Sequence, residues 1–267
     1  MKKFIILLII CIGFSFGKIT AQIQGLSAEK LVAINPITVA KRTVEFEPNV
    51  GYLWSTKTFN NKGKLQPLSP EGDSIMVLEA LGFRFTYGFA KNFEAGGVVT
   101  TDLNTFALGI KYTLFQHKNF AGAVILGTTF ANESDIVFRN SGFFGKTASI
   151  AAGFSFSNQF GKHFSVDYDI QYQNIMDGKI SYSDDFFASA DVGYKVKGPH
   201  LIIAGLSYRY NHFKTDREDA YLLTLNTGVA VMTGRMFILV FNFPVDLIGR
   251  NVNRFYGISF ALTITFD

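Results

Sequence analysis

His163 and Ser165 are the pair in this sequence whose types and spacing could perform covalent chemistry. A histidine base beside a serine nucleophile transfers acyl groups when a third group orients the imidazole. Alternation around the pair points Ser165 into a barrel interior, and the turn at 159–163 places it at a strand end. The expectation is therefore a turn histidine and an inward serine, with no catalytic residue. His117, His200 and His212 fall on turns and a strand end without metal-ligand spacing, so no metal site is expected. Asp216, Glu218 and Asp219 alternate with Lys214 and Arg217, which describes a solvated loop better than a calcium site. No glycine motif follows a strand and opens a helix, and no cofactor is expected.

The remaining charges matter through their placement. Glu45, Glu47, Arg84, Glu94, Lys111, Asp167, Asp169, Asp191, Lys195 and Arg209 all occupy the polar positions of two-residue alternations. In the run 106–114, Phe106, Leu108, Ile110, Tyr112 and Leu114 alternate with Gly109, Lys111 and Thr113. In 164–173, Phe164, Val166, Tyr168, Ile170 and Tyr172 alternate with Ser165, Asp167, Asp169 and Gln171. Period-two patterning is the signature of a strand with one apolar and one polar face.

Twelve such blocks can be read: 43–56, 75–87, 93–100, 105–115, 120–130, 147–158, 164–173, 184–196, 201–212, 221–232, 237–243 and 254–266. Their connections sort into two sets. Those at 88–92, 116–119, 159–163, 197–200 and 233–236 hold four or five residues. Those at 57–73, 101–104, 131–146, 174–183, 213–220 and 244–253 are mostly long and polar. An even strand count with short turns on one side and long loops on the other is the pattern of an all-β, up-and-down antiparallel transmembrane β-barrel.

Aromatics crowd the strand ends, at Trp54, Tyr87, Phe120, Phe130, Tyr172, Tyr194, Tyr256 and Phe266 among others, where interfacial girdles belong. Glu79 is a charge within an otherwise apolar face, and a bulge near Gly82, or a later strand start, would turn it inward. The competing soluble β-sandwich or lipocalin-like barrel shares the alternation but not the turn asymmetry, and one core could not hold so much aromatic bulk.

Composition agrees. Charged residues make up 17% and aromatics 15%, too few and too many for a water-covered surface. Residues 1–21 carry Lys2 and Lys3 followed by an apolar stretch at 4–16, short of the roughly 20 residues a spanning helix needs. They read as a cleaved export signal that takes Cys11, the single cysteine, with it. Removal of Lys2, Lys3 and Lys18 leaves 22 basic against 21 acidic residues, no electrostatic footprint for nucleic acid. Residues 22–42 lack alternation. Ser27 is placed to cap a short helix over 28–33 before Pro36 ends it, and the segment is either a plug or a tail on the periplasmic side. The barrel then occupies 43–267.

The stretch 44–52, "FTYGFAKNFEAGG" at 85–97 and "FALGIKYTLF" at 106–115 resemble bacterial outer-membrane barrels of the phenol-degradation MetA-pathway type. That resemblance implies a transporter of hydrophobic or aromatic compounds. The C-terminal aromatic alternation is similar to the signal read by the barrel-assembly machinery, although Asp267 follows Phe266. The partners expected are outer-membrane lipid, that machinery and a small solute.

Twelve strands lie between the filled interior of eight and the aqueous channel of 16–18, so the expected function is a narrow channel or transporter. The alternatives are a lipase- or deacylase-like enzyme, which needs the His163–Ser165 pair to face lipid, and a non-conducting structural barrel. Pairing through 174–183 levels Asp167 and Asp169 with Ser189 and Asp191, with Arg209 near the same height. Lining an open path, these acids would favour cations.

Overall fold

A computed structural model describes residues 23–28, 30–69, 74–101, 105–131, 147–177, 180–214, 218–234 and 236–266. The segment 1–21, Asp216, Arg217 and Asp267 lie outside them.

Thirteen strands follow in order: β1 (Val44–Phe59), β2 (Leu65–Pro67), β3 (Met76–Ala90), β4 (Phe93–Thr100), β5 (Thr105–His117), β6 (Phe120–Ala131), β7 (Thr147–Phe160), β8 (Phe164–Asp177), β9 (Ile180–Lys195), β10 (His200–Phe213), β11 (Ala220–Thr233), β12 (Phe237–Arg250) and β13 (Val252–Phe266). Each long strand pairs antiparallel with its neighbours, and β13 returns to β1 from Val44↔Phe266 to Phe59↔Val252. The result is a closed twelve-stranded barrel, with β2 added as a three-residue strand beside β1. Closure leaves the twelve barrel strands without an edge, so their ladders pair backbone groups without water. No helix occurs among the described residues.

Alternation and faces coincide. Along β5 the odd-numbered residues from Thr105 to Thr113 are buried and the even-numbered ones from Phe106 to Leu114 are exposed. Phe154, Ile170, Tyr172, Ile202 and Leu206 are likewise large apolar side chains on the outside. In water such a surface would be unstable, and in lipid it is the surface required. Left-handed backbone at Asn92, Gly161, Gly198 and Gly234 makes the reversals at one end tight.

Two connections and the facing of one side chain differ from what the sequence suggests. The 174–183 connection is mostly strand, since β8 continues to Asp177 and β9 begins at Ile180. The 244–253 connection collapses to Asn251, at φ 55°, between β12 and β13. The β8–β9 end is rich in polar residues (Asn174 lies opposite Asp184), and in β12 Pro244 and the extra residue Leu247 break the two-residue period, so hydrophobic alternation under-reads both while ladder hydrogen bonds still hold them. Pro244 belongs to β12, at a point where pairing with β13 lapses between Asn242↔Ser259 and Val245↔Tyr256, so its missing N–H is tolerated. The third difference is Glu79, which stays on the outer face opposite Tyr52. The β1–β3 register runs unbroken from Val44↔Tyr87 to Ser55↔Met76, and no bulge near Gly82 turns the carboxylate inward.

Candidate functional site

The lumen at the short-turn end is filled by the chain itself. Residues 23–28 and 30–39 pass inside the strands without forming a helix, and their backbone bonds to inward side chains of the wall. Glu94 on β4 and Lys111 on β5 are register partners, 3.0 Å apart and both fully buried. Glu94 accepts from the Ser27 amide at 2.9 Å and the Val39 amide at 2.7 Å, and its two carboxylate oxygens share the Ser27 hydroxyl. Lys111 donates to the Ser27 hydroxyl at 2.7 Å and the Asn35 carbonyl at 2.6 Å. One ion pair thus clasps the chain at both Ser27 and Val39. Ser27 is no helix cap, because Glu94 outcompetes a local turn for its hydroxyl and amide.

The acids of β8 and β9 hold the middle of that excursion. Asp167 pairs with Lys30 at 2.6 Å. One Asp191 oxygen accepts three successive amides, Leu31, Val32 and Ala33, at 3.0, 2.7 and 2.8 Å. This is the converging N–H geometry of an anion nest, with the anion supplied by the wall. Asp169 accepts from the Ile34 amide at 3.1 Å, from Ser189 at 2.6 Å and from Gln171 at 2.6 Å. The register does place Asp167 opposite Asp191 and Asp169 opposite Ser189. Arg209 is opposite Phe187 instead, and its guanidinium meets Asp185 at 2.7 Å. The expected five-residue group is therefore three carboxylates bound to 30–34, with Ser189 on Asp169, and a separate Arg209–Asp185 pair.

The remaining candidates separate in the same way. Arg84 meets Glu47 at 2.7 Å and Glu45 at 3.6 Å, and it donates to the Leu26 carbonyl. Lys195 ends β9 and is exposed at the rim. His163 Nδ1 lies 2.9 Å from the Lys195 carbonyl oxygen, its ring against Tyr194, so that nitrogen is engaged by backbone rather than by an orienting acid. At the opposite end, hydrogen bonds from Asn251 and Asn61, with Arg250 beside them, hold the Glu218 carboxyl below its usual pKa. Burial works against ionisation of Asp219, but hydrogen bonds from Tyr210 and His212 prevail and lower its pKa as well.

A furrow of small residues receives the first turn of the segment. Thr86, Gly96, Gly109, Gly127 and Ala151 are successive register partners across β3 to β7, all inward. Thr86 donates to the Gly25 carbonyl at 2.9 Å, and a Cβ on Gly96 would collide with that same carbonyl. A Cβ on Gly109 would stand 2.5 Å from the Gln24 carbonyl oxygen. Alternation marks these glycines as inward but not as one transverse row, since that needs the register of five strands. Gly109→Val should overpack the furrow by about 1–3 kcal/mol and loosen residues 23–26 while the outer face is untouched. Faster proteolysis of the N-terminal segment in the folded barrel is the expected readout.

Between this segment and β1, β3, β12 and β13 remains a cavity of about 360 Å³. Leu26, Leu31, Ile34, Val240 and Ala261 supply apolar lining; Arg84, Lys30, Asn49 and Asn242 supply the polar groups. Towards the long-loop end, Phe59, Phe213, Ala220, Leu222 and Val252 form an apolar cluster on β1, β10, β11 and β13. No group of metal-ligating side chains occurs among the described residues.

No protein-family model matches this chain, and no curated protein does either. Among solved structures it is similar to the COG4313 outer membrane channel from Pseudomonas putida F1, at 11% identity over 87% of this chain and 98% of that one, with a TM-score of 0.65. It is also similar to the NanC porin, at 8% identity over 83% and 99% of the two chains, with a TM-score of 0.50. The chain shares the fold of outer-membrane β-barrels.

Proposed function

We propose that this protein is an outer-membrane channel for small hydrophobic or aromatic solutes, closed at rest by its own residues 23–39. The observation that carries the reading is the cavity between that segment and the wall. Its volume suits a small organic ligand, its lining is largely apolar, and a few polar groups are placed to orient a substituent. The short-turn end faces the periplasm, as in other barrels with this asymmetry, so the segment closes the lumen from the periplasmic side. A solute would lodge in the cavity and pass once the segment yields. Arrangement as a filled, bonded lumen argues against a permanently open cation pore. The likeness to the Pseudomonas putida channel is consistent with transport and carries the fold alone.

The test is flux into liposomes containing the refolded barrel. Monoaromatic solutes should enter measurably faster than sugars of similar volume, while conductance in salt alone stays low. Equal entry of both classes, or of neither, defeats the proposal.

A further inference from the structure

We propose that Lys57 and Arg254 form an outward site for a phosphate group of an outer-leaflet lipid, seated above an aromatic shelf. The two are register partners on β1 and β13 at the long-loop end. A bulge between Trp54 and Lys57 keeps Lys57 in step with Arg254 on the outer face, while Ser55 and Thr58 turn inward and are buried. Like charges directly opposite on a ladder repel, so this pairing is costly without an anion between them.

Among the described residues neither side chain forms an ion pair. Arg254 Nε donates to the Asp246 carbonyl at 3.1 Å, which fixes the guanidinium and leaves its other N–H groups for a ligand. The carboxylates in the neighbourhood are otherwise engaged or displaced. Glu218 lies 3.8 Å from Arg250 and accepts from Asn61 and Asn251, and Glu79 is opposite Tyr52, on the far side of Trp54.

Below the cations, Trp54 packs on Tyr256 at 4.9 Å and on Tyr52 at 5.6 Å between ring centroids. Amphipathic rings of this kind lie at headgroup depth. The distance along β13 agrees: from Arg254 to Phe266, allowing for strand tilt, is roughly 30 Å of membrane height, the thickness of a hydrocarbon core. Phe266 then marks one boundary and Arg254 the other, where lipid phosphates are found. Two cations flanking one position fit a phosphate monoester or diester, and the shelf fits the sugar or glycerol that carries it.

This inference rests on the membrane reading but not on channel activity. Trp54 is the single tryptophan, so its emission reports on the site. The refolded protein in zwitterionic micelles would be titrated with bis-phosphorylated lipid A, with the dephosphorylated lipid and with inorganic phosphate. A saturable emission change is expected with the phosphorylated lipid alone. It should need roughly 30-fold more lipid in Lys57→Gln/Arg254→Gln and about fivefold more in Lys57→Gln, and remain within about twofold in Lys57→Arg. Faster migration of each unheated sample confirms that the barrel is folded, and its absence in the wild type would sink the membrane reading rather than the site. Unchanged affinity in the double variant, equal binding of the dephosphorylated lipid, saturation by inorganic phosphate alone, or loss of binding in Lys57→Arg overturns the proposal.

Discussion

Deleting residues 23–39 should raise single-channel conductance about tenfold or more, because the barrel does not need that segment to close and the lumen does. The β1–β13 ladder begins at Val44, beyond the deletion, and every other hairpin is intact. What disappears is the peptide that occupies the inward faces of β3 to β9. Glu94, Lys111, Asp167, Asp169 and Asp191 would then meet water, which solvates them at little cost compared with burial. In that opened barrel the acids of β8 and β9 outnumber the nearby bases, since Lys30 leaves with the segment. Cation preference should appear there, and Asp167→Asn/Asp169→Asn should reduce it in the deletion background. A deletion variant that shows the heat-dependent shift in migration yet conducts no better than the intact chain would show that residues 23–39 do not limit the lumen.

The second large effect concerns the clasp. Removing one member of a buried, hydrogen-bonded ion pair costs about 3–5 kcal/mol, because the survivor is stranded away from water. Glu94 and Lys111 are both at 0% exposure, and Glu94 also accepts the amides of Ser27 and Val39. Glu94→Gln should therefore release the segment, raising the fraction of open channels a hundredfold or more in bilayer recordings. Lys111→Met should do so less, because Glu94 keeps three partners on Ser27 and Val39. The double variant should be closer to wild type than the sum of the singles predicts, since no lone charge remains buried. Simple additivity would mean that the pair is not coupled and that the clasp is misassigned.

Fold class was legible because a strand reports its orientation every second residue. Phe106 to Leu114 and Phe164 to Tyr172 needed no tertiary information to be placed outside, and the short and long connections sufficed to stack the hairpins. The level pairing of Asp167 with Asp191 was readable for the same reason, since a hairpin's register follows from its turn. The ends of the β8–β9 and β12–β13 hairpins were not, because polar residues in the first and a bulge beside Pro244 in the second interrupt the two-residue period while the backbone ladder continues.

What the sequence determined by itself is which side chains point inward. What they point at was decided only by the tertiary structure. An inward Asp191 has the same alternation whether water or three amides of 31–33 lie beyond it. Residues 23–39 have no period to reveal their destination, and the furrow of Gly96, Gly109 and Gly127 exists only once five strands fix their registers. Asp185 and Lys30 give no sign of their roles in the sequence for the same reason. Periodicity is a local property of backbone geometry, whereas the occupant of a lumen is settled by contacts between residues far apart in the chain, such as the hydrogen bond that joins Leu31 to Asp191 across 160 positions.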